Sequence, residues 1–282
     1  MLKRTHGYLT SMAADTAPRE AVELESEGCT IIEQVFLPAE LDRLRAEIDE
    51  VFDTLPPDSR AKSRRTVEAD AEFRYEMLNR SAASQTAIGN PRILEVIEPL
   101  LGDDCHVIAN TAWRNAPKPD DPAQPWHIDA GPHVPLPEGV SWPEDIPHPV
   151  FAIGAHLFLK DCIEQDGPTG VIPGSHKSGR FPPHEDIMNP NLTFAGRTPR
   201  LLTARAGDVT LFVSDVWHRR MPTGANDQGR YFLQVHYGRR DIAQRLQTTG
   251  QANQVSAAAI ERADSRRSRT LIGLHAPFFY DG

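Results

Sequence analysis

The residues with the clearest capacity for chemistry lie in the segment PWHIDAG, which begins at Pro125. Its histidine and its aspartate, His127 and Asp129, are separated by a single residue. In a β-strand, residues i and i+2 point to the same side, so this imidazole and this carboxylate could bind one metal ion. A His-x-Asp pair occurs often by chance, and the assignment therefore depends on a third ligand.

The best candidate for the third ligand is His218, which we place at the end of a strongly apolar strand that follows a turn at Gly207 and Asp208. Two neutral imidazoles and one carboxylate form the facial triad that holds iron(II) and leaves three coordination positions open. Zinc accepts the same donors, but its catalytic sites keep fewer open positions and zinc has no redox chemistry. The three residues therefore predict a non-haem iron centre that can activate dioxygen.

Arg230 follows His218 and begins a strand-like segment, RYFLQVHYG. A dicarboxylate co-substrate that chelates iron through one end needs a fixed cation for its distal carboxylate, and arginine offers a planar fork of donors. An arginine that points inward from a strand beside the ligand strand meets this need. A surface salt bridge would be the better interpretation if the triad were absent.

Eleven histidines are present, so accidental groupings have to be weighed against this triad. One group lies in strand-like runs, where core or barrel-facing imidazoles are expected: His106, His156 and His236. A second group lies on long loops and could be solvated or line a substrate pocket: His133, His148 and His184. His176, in the turn IPGSH, is expected to make a structural hydrogen bond. None of these residues displaces the proposed ligands.

The elements that must position the triad change in character along the chain. The first part contains two amphipathic helices, LPAELDRLRAEIDEVFDTL and NPRILEVIEPLLG. Residues 16–28 could form another helix, followed by a strand over Cys29 to Phe36. After Gly102, short β-rich runs alternate with stretches rich in proline, glycine and aspartate. Helices followed by strands predict a β-barrel or sandwich with flanking helices.

Two connections are too long to be simple turns, residues 131–149 and residues 175–200. Long ordered loops in compact domains often line or close a binding site. The first loop leaves the proposed metal-binding segment and must therefore begin beside the metal. We expect it to be a semi-rigid lid, with His133 and Trp142 in contact with a substrate, and an insertion on the surface is the alternative.

The composition limits the class of protein. A chain of 282 residues with 39% hydrophobic residues can bury a substantial core, and all-β barrels of this length are often single domains. We expect one domain, with N-terminal helices over about 16–102, a β-core over about 103–240 and a C-terminal extension over 241–282. The formal charge is -9 and no long basic run is present, which argues against nucleic acid as a partner.

Neither a secretory signal nor a membrane span is expected. The N-terminal segment lacks the apolar stretch of a signal peptide, and no run of about 18 apolar residues occurs. The cysteines, Cys29, Cys105 and Cys162, are far apart and lack paired spacing, so we expect reduced thiols in the core. These features predict a soluble, cytoplasmic protein.

With these residues identified, the sequence resembles the phytanoyl-CoA dioxygenase family of iron(II)- and 2-oxoglutarate-dependent oxygenases, which includes ectoine hydroxylases. The resemblance extends from about Cys29 to Gly238. It rests on PWHID, on DGPTGVIPGSHKSG, on AGDVTLF, and on His218 followed by Arg230. Several motifs in the same order make it far more specific than a His-x-Asp pair.

The resemblance implies a double-stranded β-helix, the jelly-roll of cupin-like proteins, with the early helices packed outside. It implies that His127, Asp129 and His218 bind iron(II) and that Arg230 binds the far carboxylate of 2-oxoglutarate. The carboxylate at Asp129 favours hydroxylation or a related oxidation, because halogenating relatives replace it with a small residue.

Two further residues are assigned to the co-substrate. Asn115 resembles a polar co-substrate contact of ectoine hydroxylases, and Thr111 shares its face by strand alternation. The sequence departs from many relatives after His218, where Arg219 and Arg220 stand in place of a small Gly-Ser pair. This departure bears on the hydrogen bonds around the ligand and leaves the ligand itself unchanged.

We therefore predict an oxygenase that uses iron(II), 2-oxoglutarate and dioxygen to hydroxylate, desaturate or cyclise a small metabolite, with release of succinate and CO2. Two other functions remain open on the sequence. The triad could serve a cupin-like metal-dependent hydrolase or isomerase that does not use 2-oxoglutarate. The jelly-roll could also be a non-catalytic small-molecule-binding protein.

Overall fold

The computed structural model describes residues 2–5, 8–11, 17–56, 71–129, 131–144, 146–244 and 255–275. The N-terminal elements of this described part are β1 (Leu2–Thr5), β2 (Tyr8–Ser11), α1 (Arg19–Glu27), β3 (Cys29–Ile32), α2 (Pro38–Thr54), β4 (Phe73–Tyr75), α3 (Met77–Arg80), α4 (Ala82–Ile88) and α5 (Pro91–Leu101). The later elements are β5 (His106–Asn115), β6 (Ala152–Phe158), β7 (Thr169–Val171), β8 (Arg200–Leu202), β9 (Val209–Val213), β10 (His218–Arg220), β11 (Arg230–Gly238), α6 (Ala257–Arg262) and α7 (Arg266–Leu271).

The helices begin and end where the local sequence provides the required caps. In α2, Pro38 occupies the first turn and the Glu40 side chain accepts a hydrogen bond of 2.7 Å from the backbone N–H of Leu37. In α5, the Asn90 side chain accepts from the N–H of Arg92 at 2.9 Å. Both predicted amphipathic helices are confirmed, and so is the helix expected before Cys29.

The strands form two antiparallel sheets in addition to the hairpin of β1 and β2. The larger sheet has the order β3-β9-β6-β11-β5-β4, and the smaller sheet has the order β10-β7-β8. The Phe212 ring of the larger sheet contacts the His218 ring of the smaller sheet, so the two sheets enclose an interior between them. This mainly antiparallel architecture with flanking helices confirms the predicted fold class.

Side chains alternate between the two faces of the larger sheet. The outward face is aliphatic and belongs to one hydrophobic cluster with α2, α4 and α5: Ile153, Leu157, Leu211, Leu233 and Val235. The inward face is aromatic and polar: Trp113, His156, Phe212, Phe232 and His236. The sheet therefore anchors the protein core with one face and lines the enclosed interior with the other.

Three predictions from the sequence are wrong in their extent. The strand expected over Cys29 to Phe36 ends at Ile32, because the chain turns at Glu33 and Gln34. His127 and Asp129 do not lie in a regular strand, since only His127 forms a bridge, with His218. His218 does not end the apolar strand either. That strand ends at Val213, and His218 begins β10 after a turn.

The end of the chain packs against its beginning. In α6, Nη2 of Arg262 donates a hydrogen bond of 2.7 Å to the carbonyl oxygen of Leu78. Leu271 of α7 is buried in the same hydrophobic cluster as α2 and α5. Of residues 58–75, whose charged sequence indicates neither helix nor strand, the structure describes 71–75, and β4 occupies the last three. Among the described helices, none is both long and apolar enough to cross a membrane.

Candidate metal centre

Three side chains converge between the two sheets, and they are the three that the sequence singles out. One ligand atom from each of His127, Asp129 and His218 lies within 4.8 Å of the others. Nε2 of His218 is 3.4 Å from Oδ1 of Asp129, and the centroids of the two imidazole rings are 4.4 Å apart. This arrangement of two nitrogen donors and one carboxylate can hold a first-row metal ion.

The backbone holds the two histidines side by side and fixes their tautomers. The N–H of His127 donates to the carbonyl of His218 at 2.9 Å, and the N–H of His218 donates back at 3.0 Å. Nδ1 of each ring lies 2.9 Å from a carbonyl oxygen two residues earlier, that of Pro125 or Val216. Because a carbonyl only accepts, each Nδ1 carries the proton, and each Nε2 keeps its lone pair for a metal.

The electrostatics of the site favour a cation beside the carboxylate. Burial raises the pKa of Asp129. The neighbouring His218, His236 and His127 outweigh this effect and hold the pKa of the carboxyl below its usual range. Burial, together with His218, lowers the pKa of His127 and keeps that imidazole neutral. In return, Asp129 raises the pKa of His218 against the effect of burial. A positive charge between these groups is therefore stabilised.

The other oxygen of Asp129 faces His236, with Oδ2 3.7 Å from Nδ1. Nε2 of His236 lies 2.9 Å from the amide nitrogen of Gln234, and Oε1 of Gln234 accepts a hydrogen bond of 2.8 Å from Nε1 of Trp113. Because indole only donates, the amide oxygen faces Trp113 and the amide nitrogen donates to His236. The proton of His236 is therefore on Nδ1 and points toward the carboxylate.

Arg230 lies in the same interior, at the start of β11 and opposite Asn115 on β5. It is buried, its Cζ lies 5.2 Å from the centroid of the Phe232 ring, and its Nε has no acceptor among the described residues. Burial, and after it the charge of Arg220, lower the pKa of Arg230 to about 9. A buried guanidinium with open donors favours an anionic ligand.

The other two predicted co-substrate contacts are also buried on β5. The amide nitrogen of Asn115 donates to Glu72 at 3.3 Å, while its Oδ1 has no partner within the described part of the chain. Thr111 pairs with Gln234 across the sheet and shares the inward face with Asn115. The structure therefore brings both residues to the strand that lies beside β11.

The first long loop is docked onto the second. The N–H of Leu136 donates to the carbonyl of Gly179 at 3.2 Å. Arg180 donates from Nη2 to the carbonyls of Pro137 and Val140, the second at 2.9 Å. These bonds hold residues 136–140 of the first loop against the second loop.

The two predicted substrate contacts occupy different positions on this loop. Nδ1 of His133 is 2.5 Å from Oδ1 of Asp215, and the N–H of His133 donates to Oδ2 at 2.9 Å. Since Asp215 lies in the turn before His218, this pair holds His133 beside the metal ligands. Trp142 packs within its own loop, where its ring meets His148 with centroids 4.7 Å apart.

Arg219 joins two segments of the chain through its buried side chain. Its side chain is buried over the ring of Trp126, and it donates from Nη1 to the carbonyl of Met188 at 2.9 Å and from Nη2 to that of Pro122 at 2.8 Å. It therefore ties the second long loop to the segment that leads to His127.

Three features of the site were not predicted from the sequence: Asp215, Gln234, and the contact of His236 with Asp129. The alternation of side chains between the two faces of a strand could have predicted two of these residues. Counting in steps of two from Arg230 places Gln234 and His236 on the inward face of one strand. No local pattern indicates Asp215, because its partner lies on a loop far away in the sequence.

The family described as Phytanoyl-CoA dioxygenase (PhyH) matches residues 24–226. HygX from Streptomyces hygroscopicus, with nickel and 2-oxoglutarate bound, is similar with a TM-score of 0.59 and 17% identity over 83% of this chain and 90% of that chain. EctD from S. alaskensis is similar with a TM-score of 0.62 and 20% identity over 82% of this chain and 80% of that chain.

A third similar structure is the non-heme alpha ketoglutarate dependent epimerase SnoN from nogalamycin biosynthesis. Its TM-score is 0.58, with 18% identity over 84% of this chain and 89% of that chain. No curated protein sequence matches the chain. At these identities the structures establish the fold, and they confirm the predicted jelly-roll.

Proposed function

The chain belongs to the phytanoyl-CoA dioxygenase family, and on this premise we propose that it is an iron(II)- and 2-oxoglutarate-dependent oxygenase of a small organic molecule. The observation that carries the proposal is the convergence of His127, Asp129 and His218, with both Nε2 lone pairs free for a metal. This donor set leaves three positions open, which the co-substrate and dioxygen require. Bound iron(II) would supply the activation of dioxygen that is coupled to decarboxylation of the 2-oxo acid.

The chain's own residues would bind and orient the reactants. Arg230 would hold the distal carboxylate of 2-oxoglutarate through charge-assisted hydrogen bonds, because its buried guanidinium offers open donors. Asn115 and Thr111 would add polar contacts from the neighbouring strand. His236 would keep Asp129 in place, since its Nδ1 proton faces the carboxylate oxygen that does not face His218.

The loop over residues 131–149 would limit the access of water to the site. His133, held by Asp215, would meet the substrate, and Trp142 would support the loop from within. The expected products are succinate, CO2 and an oxidised metabolite, and the oxidation would be a hydroxylation, desaturation or cyclisation. We propose a biosynthetic metabolite as substrate, in line with the similarity to SnoN from nogalamycin biosynthesis.

We also propose that the protein works in the cytoplasm. The three cysteines, Cys29, Cys105 and Cys162, are buried free thiols. Burial raises the pKa of each thiol, to about 11 for Cys29 and Cys162. Such thiols resist oxidation and suit a reducing compartment.

The test is an incubation of the protein with iron(II), 2-oxoglutarate, dioxygen and a metabolite extract. We expect succinate to form and one or more metabolites to change in mass by an oxygen atom or by the loss of two hydrogens. Omission of 2-oxoglutarate should stop both changes. A metabolite that changes without 2-oxoglutarate would instead support a metal-dependent hydrolase or isomerase. Absence of both iron binding and succinate would support a non-catalytic binding protein.

A further inference from the structure

Arg220 is an inward-facing arginine for which the proposed function gives no role. It lies two residues after His218 on β10, and residues i and i+2 of a strand share a face. The imidazole of His218 contacts Asp129 and the ring of Phe212, so this face points into the enclosed interior. With 9% of its surface exposed, Arg220 therefore places a buried guanidinium in the same interior as the triad.

Arg220 and Arg230 are electrostatic neighbours although they come from different sheets. After burial, the charge of Arg220 is the strongest influence that lowers the pKa of Arg230. The contacts between the sheets agree with this: Thr169, the cross-strand partner of Arg220, has its hydroxyl oxygen 3.4 Å from Nδ1 of His156. The His156 ring lies 4.4 Å from the Phe232 ring, centroid to centroid, and the guanidinium of Arg230 lies over that Phe232 ring. Two guanidinium groups therefore lie at the same end of the interior.

The donors of this pair are incompletely satisfied. Nε of Arg220 and Nε of Arg230 are both buried without an acceptor among the residues that the structure describes. Within the described part of the chain, the side chain of Arg220 makes a long hydrogen bond of 3.5 Å from Nη2 to the carbonyl of Asp166 and an ion pair of 3.9 Å with Oδ2 of Asp227. Buried polar groups without partners are costly, and two like charges add repulsion, so the pair favours an anion between its members.

Asp227 and Asp166, which contact Arg220, use their carboxylates to hold loops in place. Asp227 accepts hydrogen bonds from the backbone N–H groups of Lys118 at 2.6 Å and Gly229 at 2.7 Å. Both oxygens of Asp166 likewise accept from backbone N–H groups, at 2.8 and 2.9 Å. Their charge reduces the repulsion between the arginines, but their oxygens hold loops in place. The Nε donors of the arginines remain open.

We propose that Arg220 is a second binding residue for the distal carboxylate of the 2-oxo acid, which is then held between the guanidinium groups of Arg220 and Arg230. This inference rests on the proposed function, because it requires a 2-oxo acid in the interior. The site should then select 2-oxo acids by their second charge.

Binding is best measured by calorimetry on the nickel(II)-loaded protein, so that turnover does not interfere. The two probes are 2-oxoglutarate and 2-oxopentanoate, which shares the chelating end but lacks the distal carboxylate. Arg220→Ser should weaken 2-oxoglutarate binding by at least about tenfold, since one charge-assisted contact is lost. The same substitution should change 2-oxopentanoate binding by less than about twofold. Arg220→Lys should recover part of the 2-oxoglutarate affinity.

Two control variants complete the experiment. Arg205→Ser removes a charge from an exposed position and should bind both probes as wild type does. Arg230→Ala should lose 2-oxoglutarate affinity whatever the role of Arg220. If Arg220→Ser bound 2-oxoglutarate like wild type while Arg230→Ala did not, the inference would be wrong and the proposed function would stand.

Two other outcomes also count against the inference. Equal losses for both probes would assign Arg220 to the support of the loops around Asp227, and the role in carboxylate binding would be rejected. Failure of the wild-type nickel protein to bind 2-oxoglutarate at all would remove the proposed function together with the inference. Thermal denaturation of each variant verifies that the comparisons are made on folded protein.

Discussion

The two faces of the larger sheet differ in chemistry although they are built from the same strands. The outward face of β6, β9 and β11 carries aliphatic residues such as Leu157, Leu211 and Leu233, which pack beneath the helices. The inward face carries His156, Arg230 and other polar or aromatic side chains. The aliphatic groups need no hydrogen-bond partner, whereas several inward polar atoms have none among the described residues.

This difference indicates a division of roles between alternate residues. Outward residues contribute free energy of folding through burial, roughly 1.5 to 3 kcal/mol for a fully buried leucine. Inward residues include unpaired buried groups, which lower stability and are kept where binding requires them. Substitutions on the two faces should therefore change different measurements.

The largest expected effect comes from the loss of a metal ligand. His218→Ala should abolish turnover and weaken iron binding by more than the roughly 10- to 100-fold typical of residues that only support ligands. The substitution removes an imidazole from a polar interior, so the midpoint of thermal unfolding should change little. Iron content and succinate formation are the measurements. His184→Ala, at an exposed loop histidine, is the matched control and should keep wild-type values of both. Normal turnover by His218→Ala would reject the triad.

A substitution on the outward face should lower the stability of the protein and leave iron binding unchanged. Leu233 is fully buried in the main hydrophobic cluster. Leu233→Ala should lower the free energy of unfolding by about 2 to 5 kcal/mol, because it leaves a cavity. Denaturant titration measures this loss. Iron content and turnover of the folded fraction should stay near wild type, and their loss in folded protein would contradict the division between the faces.

Because side chains alternate between the two faces of a strand, much of the division between the outward and inward faces is predictable from the sequence. The strand that begins at Arg230 was identified from its composition, and its period of two gives the inward set that ends at His236. The amphipathic helices were predicted with similar accuracy, because their apolar spacing and their caps are local. The three candidate ligands were found by residue type and order alone.

The parts that could not be predicted depend on contacts between distant segments. The run that ends at His218 has strand composition throughout, yet the chain turns after Val213. There Asp215 leaves the strand direction and binds His133, 82 residues away in the sequence. No local pattern encodes such a pair. The different surroundings of Arg219 and Arg220 likewise depend on the pairing of β10 with β7, a strand from an earlier part of the chain.

A smaller effect, on the pH dependence of stability, is expected from a buried histidine outside the site. Nε2 of His176 donates a hydrogen bond of 3.1 Å to the carbonyl oxygen of Glu25, while its Nδ1 is a buried acceptor without a donor in the described part of the chain. Burial, and after it the ring of His148, lower the pKa of His176 to about 3. The charge of Lys177 lowers this pKa further, and the charge of Asp215 raises it.

The sign of the resulting pH dependence follows from linkage. Below a pH of about 6.5 the unfolded chain binds a proton at His176 that the folded protein excludes, so stability falls as the pH falls from about 6.5 toward 3. Between pH 7 and pH 5 this histidine should account for a loss of up to about 2 kcal/mol. Denaturant titrations at both pH values should show a smaller loss for His176→Gln. An unchanged loss would show that His176 does not contribute to the acid sensitivity.

The smallest expected effect concerns the proposed lid, residues 131–149, whose shape is maintained by contacts within the loop and with the second loop. Nε1 of Trp142 donates a hydrogen bond of 2.6 Å to the carbonyl of Ile146, and its ring packs against His148. Trp142→Ala removes both contacts but leaves the bonds from Arg180 in place. The loop should therefore loosen without detaching, and iron binding should stay normal.

A looser loop admits water and holds the substrate less firmly, so the consumption of 2-oxoglutarate should become partly uncoupled from oxidation of the substrate. We expect the ratio of succinate to oxidised product to rise about two- to fivefold. This corresponds to a change of less than about 1 kcal/mol in the partition between coupled and uncoupled turnover. Trp142→Phe keeps a ring against His148 and should show a smaller rise. If Trp142→Ala kept both the wild-type ratio and the wild-type substrate affinity, the loop would have no part in coupling. The functional residues would then be confined to the inward face of the barrel and the turn that carries Asp215.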